Sequence, residues 1–259
     1  MNILTLRNSK LQKKEQDLGY IIVGLSLLPA REVGNYEDEL MGTNMCKWHT
    51  PGCIASCINW SGRGRYPKSQ LARARRTIML KTEPERFFIL LEEDLRVMAR
   101  RVKKRDMKLA CRLNLYSDHE WERTAIPWKF PDVQFYDYTK GLERVLGRNR
   151  PKNYHLTFSR SESNIDECHA ALNAGVNVAV VFKDELPPHF MGHRVIDGDE
   201  YDHRFLDPSA EPYFAINHGD HPLIVGLRKK VSREAADCGF VVDYSSIREK
   251  ESSTELIAV

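Results

Sequence analysis

Three cysteines, Cys46, Cys53 and Cys57, lie within twelve residues of one another in the segment CKWHTPGCIASC. Pro51 and Gly52 interrupt this segment with residues that favour turns. A loop of this kind can direct several thiol groups to one centre, and thiolates are ligands of zinc and of iron–sulfur clusters. The segment therefore predicts a metal or redox site.

Three kinds of site fit these cysteines. A structural zinc ion usually has four ligands, and His49 in the same loop is the candidate for the fourth. A [4Fe-4S] cluster usually has four cysteine ligands, so a cluster with three would leave one iron open to a small ligand. The third alternative is a set of unligated thiols. The remaining cysteines are isolated in sequence, which is typical of small buried apolar residues: Cys111, Cys168 and Cys238.

The elements around the loop alternate between short apolar strands and helices. Segment 20–28 is short and rich in β-branched residues, which predicts a strand before the loop. An apolar stripe from Phe87 to Val102 predicts a helix with a capping box at Thr82–Glu85. Further strands are predicted at 109–115, 133–136, 154–158, 176–182, 194–196, 222–226 and 239–242, and further helices at 68–80, 142–146 and 164–174.

This alternation predicts an α/β fold with parallel strands joined by right-handed crossovers. The number of strands suits a full or partial (β/α) barrel in which the cysteine loop follows the first strand, and an open doubly wound sheet is the second choice. No linker divides the chain, so residues 1–244 are predicted to form one domain, followed by a polar tail at 245–259.

Polar side chains follow nearly every predicted strand. In both architectures ligands bind at the carboxyl ends of the strands, so these side chains are candidates for binding a cofactor or a substrate. The alternative for each is a loop residue that satisfies nearby backbone groups. The candidates are Asn114, Ser117, Asp118, Thr139, Lys140, Ser159, Arg160, Asp197 and Asp199. A second metal site formed by Asp197, Asp199, Asp202 and His203 is a further alternative.

The net charge of +3 is small but unevenly distributed. Residues 63–76 contain six basic residues and no acidic one. Trp48, Trp60 and Tyr66 lie near or within this segment and are candidates for stacking on bases, with packing in the core or a loop as the alternative. This segment predicts a contact with nucleic acid or a nucleotide, and the alternative is a solvated helix face.

The first eighteen residues are polar and rich in lysine, unlike a signal peptide, and no apolar run is long enough to cross a membrane. These features predict a cytoplasmic protein without a membrane partner. In a reducing cytosol clustered cysteines favour metal or redox chemistry over disulfides. The sequence gives no indication of the oligomeric state.

A strand, a three-cysteine loop and alternating βα units together resemble the radical S-adenosylmethionine enzymes. The resemblance implies a [4Fe-4S] cluster on Cys46, Cys53 and Cys57 that binds S-adenosylmethionine and generates a 5′-deoxyadenosyl radical, with the nine strand-end candidates positioning cofactor and substrate. The spacing here is C-x6-C-x3-C, whereas that superfamily usually has C-x3-C-x2-C.

A set of motifs between residues 46 and 243 resembles the phage family named after gene product 88. These motifs are PGC at 51–53, SGRG at 61–64, RLNLYSD at 112–118, QFYDYTK at 134–140, NYHLTFS at 153–159, VIDGD at 195–199 and IVGL at 224–227. The resemblance implies a phage origin and the cytoplasm of a host cell.

Two functions are consistent with these observations. The first is an iron–sulfur enzyme of radical type that acts on a small molecule, a nucleotide or a nucleic acid. The alternative is a non-catalytic phage protein in which a cluster or a zinc ion is structural and the basic surface binds nucleic acid or a host protein.

Overall fold

Short β-branched segments form a ten-stranded sheet in the computed structural model, which describes residues 2–5, 15–208, 221–230 and 238–247. All predicted strands are present with shifted ends, and β1 and β7 are additional. The strands are β1 (Leu4–Thr5), β2 (Tyr20–Leu25), β3 (Lys108–Arg112), β4 (Val133–Thr139), β5 (Tyr154–Ser159), β6 (Val178–Phe182), β7 (His189–Phe190), β8 (His193–Asp197), β9 (Ile224–Arg228) and β10 (Val241–Val242).

The four predicted helices are present, with shifted ends except at 142–146, and α1, α2 and α5 are additional. The α-helices are α1 (Glu15–Leu18), α2 (Pro51–Ala55), α3 (Pro67–Thr82), α4 (Pro84–Lys103), α5 (Ile126–Lys129), α6 (Leu142–Leu146) and α7 (Ile165–Asn173). The predicted capping box is wrong, because Thr82 is the last residue of α3. Only Glu83 separates α3 from α4. The Thr82 hydroxyl donates to the Ile78 carbonyl within α3 and is not available to cap α4. Gly175 follows α7 at a φ of +80°, as expected for a glycine that ends a helix.

The sheet runs in the order β1-β2-β3-β4-β5-β6-β9-β8-β7, and β10 also pairs with β6. Strands β2 to β6 are parallel and sequential, so the order does not reverse as it does in a doubly wound sheet. Antiparallel pairs occur at the two ends of the sheet, between β1 and β2 and between β7 and β8. Within the described ranges no pairing joins these two ends, so the fold is a mostly parallel α/β sheet and the predicted barrel is not confirmed.

The two faces of the sheet are covered differently. Cys111 and Phe135 point to the face that carries the helices, in the main apolar core. Ala110 and Tyr136 point to the other face and pack against Phe205 instead of a long helix. This difference follows from the sequential winding, because right-handed crossovers place their helices on one face.

The cysteine loop follows β2, the first strand of the parallel set, and bends over the carboxyl end of the sheet. The Asp118 N–H donates to the Met45 carbonyl at 2.8 Å, and Cys46 forms an isolated parallel bridge with Asp118. The predicted tail begins with exposed residues at 245–247, and its remainder at 248–259 lies outside the described residues. None of the described helices combines the length and the apolar character that crossing a membrane requires.

Candidate functional site

All three cysteines of the loop line one cavity at the carboxyl ends of the parallel strands. The cavity has a volume of about 210 Å³, room for several water molecules or a small ligand. Six of the nine strand-end candidates also line it: Asn114, Ser117, Asp118, Thr139, Lys140 and Ser159. Residues that are more than 100 positions apart in sequence therefore meet at one place because parallel strands end at the same edge of the sheet.

The thiols have polar neighbours within the protein. The Ala30 N–H donates to Cys46 Sγ at 3.2 Å, and the backbone amide of Asn59 hydrogen-bonds Cys57. Burial raises the pKa of Cys46 to about 12 and that of Cys57 to about 11, although these amides oppose the rise. Without a metal both groups are protonated at neutral pH, so neither has the low pKa of a nucleophilic cysteine.

Ala30 has a φ of +43°, in the left-handed region that alanine rarely adopts. This conformation costs on the order of 1–3 kcal/mol. It aims the Ala30 N–H at Cys46, while the Ala30 carbonyl accepts the Met45 N–H at 2.8 Å. Such strain is typical of functional sites, and here it orients a donor towards a thiol.

Lys140 places a cation beside the cysteines. It forms a side-chain hydrogen bond with Cys53 and lies 3.4 Å from the Ser159 hydroxyl. The opposite side of the cavity carries the basic end of β9: Arg228, Lys229 and Lys230. Aromatic rings complete the lining: Trp48, Trp60, Tyr116, Tyr138 and Phe240. The cavity therefore combines thiols, cations and aromatic surface.

Several of the predicted binding residues are already engaged in hydrogen bonds within the protein. The Asn114 side chain donates to Asp137 and to the His119 carbonyl, and its oxygen accepts the Ser117 hydroxyl at 2.9 Å. Asp118 accepts the Thr139 hydroxyl at 3.2 Å. These side chains shape the cavity, and Lys140 is the candidate whose side chain hydrogen-bonds a thiol, that of Cys53.

Three of the predicted binding residues do not line the cavity. Arg160 donates to the Gly239 and Phe240 carbonyls, so it anchors the segment before β10. Asp197 and Asp199 lie behind the cavity wall, where they form ion pairs with Arg228 and Lys230.

The four residues of the alternative second metal site are not gathered in the described structure, because they belong to two different environments. Asp202 and His203 are fully buried, and Asp202 pairs with Arg112 at 3.1 Å. Asp197 and Asp199 pair with cations at the surface.

The site also contains residues that the sequence did not indicate as functional. Arg112 and Tyr138 line the cavity two positions before Asn114 and Lys140, and the two-residue period of a strand could have identified them. Arg228, Lys229 and Lys230 end a predicted strand, so the same rule that selected the other candidates applies to them. Glu162 also follows a predicted strand, but no local pattern indicated its partners, which are 110 and 112 residues away.

Glu162 anchors the cysteine loop to the end of β5. Its carboxylate accepts the Gly52 N–H at 2.7 Å and the Thr50 hydroxyl at 2.8 Å. Thr50 is the N-cap of α2, and its hydroxyl oxygen accepts the Cys53 N–H at 3.3 Å. Glu162 thus fixes the turn of helix that carries Cys53.

We expect Glu162→Gln to destabilise the protein by about 1–3 kcal/mol, because charged hydrogen bonds are replaced by neutral ones. Burial alone would raise the pKa of Glu162, but the Gly52 and Thr50 donors lower it below 4.5. The unfolded state therefore binds more protons between the two pKa values, so this stabilisation is present above about pH 4.5 and is lost as pH falls through the folded-state pKa.

Urea unfolding over this pH range measures both effects. Glu185→Gln at an exposed position is the control, and we expect it to leave the free energy of unfolding unchanged. Equal stabilities of the two variants at neutral pH would contradict the anchoring role of Glu162.

The basic segment 63–76 separates into two groups. Arg73 is buried, donates to Asn59 Oδ1 at 2.6 Å and stacks on the Tyr116 ring at 4.0 Å. Arg76 donates to the Asn2 carbonyl at 3.3 Å. The other four cations are exposed: Arg63, Arg65, Lys68 and Arg75.

No group of three or more His, Cys, Asp or Glu side chains in the described ranges is close enough to hold a metal ion. The three thiols share a cavity but do not converge on a single point. His49, the fourth ligand of the zinc alternative, has its Nδ1 atom 2.6 Å from the Cys46 carbonyl. That nitrogen is engaged with the backbone in this conformation.

The family profile described as Gene product 88 matches residues 2–244. The chain belongs to this family. The match confirms the phage-family resemblance over nearly the whole chain, and the family description specifies no reaction. Neither a curated protein nor a solved structure matches the chain. The resemblance to radical S-adenosylmethionine enzymes gains no support from these comparisons.

Proposed function

We propose that this gene product 88 protein is an iron–sulfur enzyme in which Cys46, Cys53 and Cys57 bind a [4Fe-4S] cluster and S-adenosylmethionine binds beside it. The observation that carries the proposal is the position of the three thiols. They line one cavity at the edge of a parallel sheet where ligands bind in α/β proteins. The cavity is bordered by cations and aromatic rings that suit a charged, partly apolar ligand.

The donor set fits a cluster with one open iron. Three soft thiol ligands are available, and two of them already accept backbone N–H groups, which are typical neighbours of cluster sulfurs. Cluster binding would require these thiols to lose their protons, because metal ligands bind as thiolates. It would also require the three thiols to move together, because they are not gathered around one point in the described structure. When bound, such a cluster supplies one-electron chemistry to S-adenosylmethionine.

The residues around the thiols have defined tasks in this proposal. Lys140, between Cys53 and Ser159, is placed to bind the carboxylate of a ligand next to the cluster. Trp48 and Trp60 border the same cavity and can stack on a flat ring while keeping water from the thiols. Trp48 is held in place because its ring packs directly against Gly141, where a Cβ atom would lie 2.7 Å from it.

Anaerobic purification with iron and sulfide analysis tests this proposal. We expect a brown protein with about four irons per chain. We also expect its spectrum to change when S-adenosylmethionine is added, and 5′-deoxyadenosine to be released after reduction. A colourless protein with one zinc ion per chain would contradict the cluster. A four-iron protein that releases no 5′-deoxyadenosine with any reductant would contradict the radical chemistry.

The second candidate is a non-catalytic phage protein with a structural cluster or zinc ion. The observation that favours it is the group of exposed cations next to the cysteine loop, which suits the binding of nucleic acid without any reaction. This candidate predicts a metal-containing protein whose spectrum does not respond to S-adenosylmethionine.

A further inference from the structure

Four exposed cations follow the cysteine loop directly. Arg63 and Arg65 belong to the 3₁₀ turn Gly62–Arg65, and Lys68 and Arg75 lie on α3. In the part of the chain that the structure describes, no carboxylate forms an ion pair with any of the four. Solvated helix faces usually carry charges of both signs, whereas the 3₁₀ turn and α3 contain cations and no carboxylate, a composition that suits a polyanion.

The backbone beneath these cations is held rigidly. The Gly64 carbonyl, between Arg63 and Arg65, accepts hydrogen bonds at 2.9 Å from both Gln70 and Arg73. Gln70 and Arg73 are buried, and both also bond to Asn59. Two buried side chains therefore fix the turn, and the two arginines project from a preorganised backbone. Preorganisation lowers the entropy lost when a ligand binds.

An exposed aromatic ring lies among the cations. Tyr66 stands between Arg65 and Lys68 in sequence, and 53% of its surface is exposed. Its backbone carbonyl accepts the N–H groups of Ser69 and Gln70 at the start of α3, so the base of the residue is fixed. An exposed ring flanked by cations is the arrangement on which single-stranded nucleic acids stack their bases.

This surface continues into the wall of the cavity. The 3₁₀ turn Ile58–Trp60 precedes it, and both Ile58 and Trp60 line the cavity. On the inner side, Arg73 stacks on Tyr116, which also lines the cavity. A strand bound along the cations could therefore reach the cavity mouth with a single unstacked nucleotide.

We propose that Arg63, Arg65, Lys68 and Arg75 bind the phosphates of a single-stranded nucleic acid and that Tyr66 stacks on one of its bases. A duplex suits the surface less well, because its bases are stacked on each other and unavailable to Tyr66. The proposal deepens the proposed function by naming nucleic acid as the class of substrate. The binding itself requires no cluster.

Fluorescence anisotropy of the full-length protein with a labelled single-stranded oligonucleotide, and with the duplex of the same length, tests the proposal. We expect tighter binding of the single strand. Each phosphate contact that is removed lowers the salt dependence of log K by roughly 0.7. The double variant Arg63→Gln/Arg65→Gln should therefore bind more weakly at low salt and lose roughly 1.4 units of that slope.

Tyr66→Ala should weaken binding at least about five-fold, and Tyr66→Phe should retain most of the affinity because it keeps the ring. The matched control is Arg100→Gln/Lys104→Gln, which removes the same charge from exposed positions at the end of α4. Equal losses in both double variants would overturn the proposal, since they would indicate a nonspecific effect of net charge. Tighter binding of the duplex, or no loss in Tyr66→Ala, would overturn it too.

Iron and sulfide content separates this proposal from the proposed function. The Arg63, Arg65 and Tyr66 variants should contain the same amount of iron as the unmodified protein, because none of these residues lines the cavity. Strand binding by a protein without iron would support this inference and contradict the cluster. An iron-containing protein that does not bind the strand would support the cluster and overturn this inference.

Discussion

Alanine at Cys46, Cys53 or Cys57 is expected to reduce the iron content of anaerobically purified protein from about four per chain to nearly none. A cluster bound by three thiolates already has one iron without a protein ligand. Removing one of the three leaves two irons without a ligand, and we expect the cluster to be lost. Each variant is expected to stay folded without metal, because each cysteine is only partly buried and borders a cavity. Iron and sulfide analysis measures the loss, and circular dichroism verifies folding.

Cys238→Ala is the control for these variants. Cys238 is the fourth thiol near the loop, because a Cβ atom added at Gly52 would lie 2.6 Å from its Sγ atom. It does not line the cavity, so we expect its removal to leave the iron content unchanged. Loss of iron in Cys238→Ala would instead indicate a four-thiol centre without an open iron, and it would contradict the proposed binding of S-adenosylmethionine.

Arg144→Met is expected to destabilise the protein by about 3–5 kcal/mol, because the buried Glu122 and the largely enclosed Asp118 lose their partner. Arg144 is fully enclosed and binds Glu122 through two hydrogen bonds, at 2.8 Å and 2.6 Å, and Asp118 through a third. Asp118 also accepts the Lys140 N–H at 3.1 Å, so the loss should disturb the residues next to the thiols. Urea unfolding of the metal-free protein measures the effect.

A double-mutant cycle tests whether the loss of stability in Arg144→Met comes from the unpaired carboxylates. Glu122→Gln in the Arg144→Met background removes one of the orphaned charges and should recover part of the lost stability. Arg148→Met, at an exposed position on the same connection, is the matched control and should change stability by less than about 0.5 kcal/mol. A loss in Arg144→Met no larger than in this control would show that the ion-pair network contributes little.

The basic segment 63–76 contains cations with two different structural roles. The run 63–76 contains six basic residues, but Arg73 and Arg76 are engaged in hydrogen bonds within the protein. Sequence alone does not distinguish an arginine that supports a turn from one that projects from it. The difference arises from the position of Asn59 and Tyr116, which approach Arg73 only after the chain folds back on itself.

The sequence by itself determined the strands and the long helices, and it selected polar residues that line one cavity. Apolar periodicity is a local property, so it predicted α4 and the parallel strands. The rule that parallel strands end at one edge then selected six residues that do meet in one cavity with the cysteines. Membership of the gene product 88 family agrees with motifs spread over the same elements.

The tertiary structure alone decided whether the sheet closes and which polar groups are free. Sheet closure depends on pairing between the first and last strands, which no local pattern encodes, and the sheet is open across the described residues. The partners of Glu162 and Arg112 lie 110 and 90 residues away, at Gly52 and Asp202. Such pairs form because the folded backbone brings distant loops together. The fold thereby places Glu162 against the cysteine loop, and it buries Asp202 while Asp197 stays at the surface.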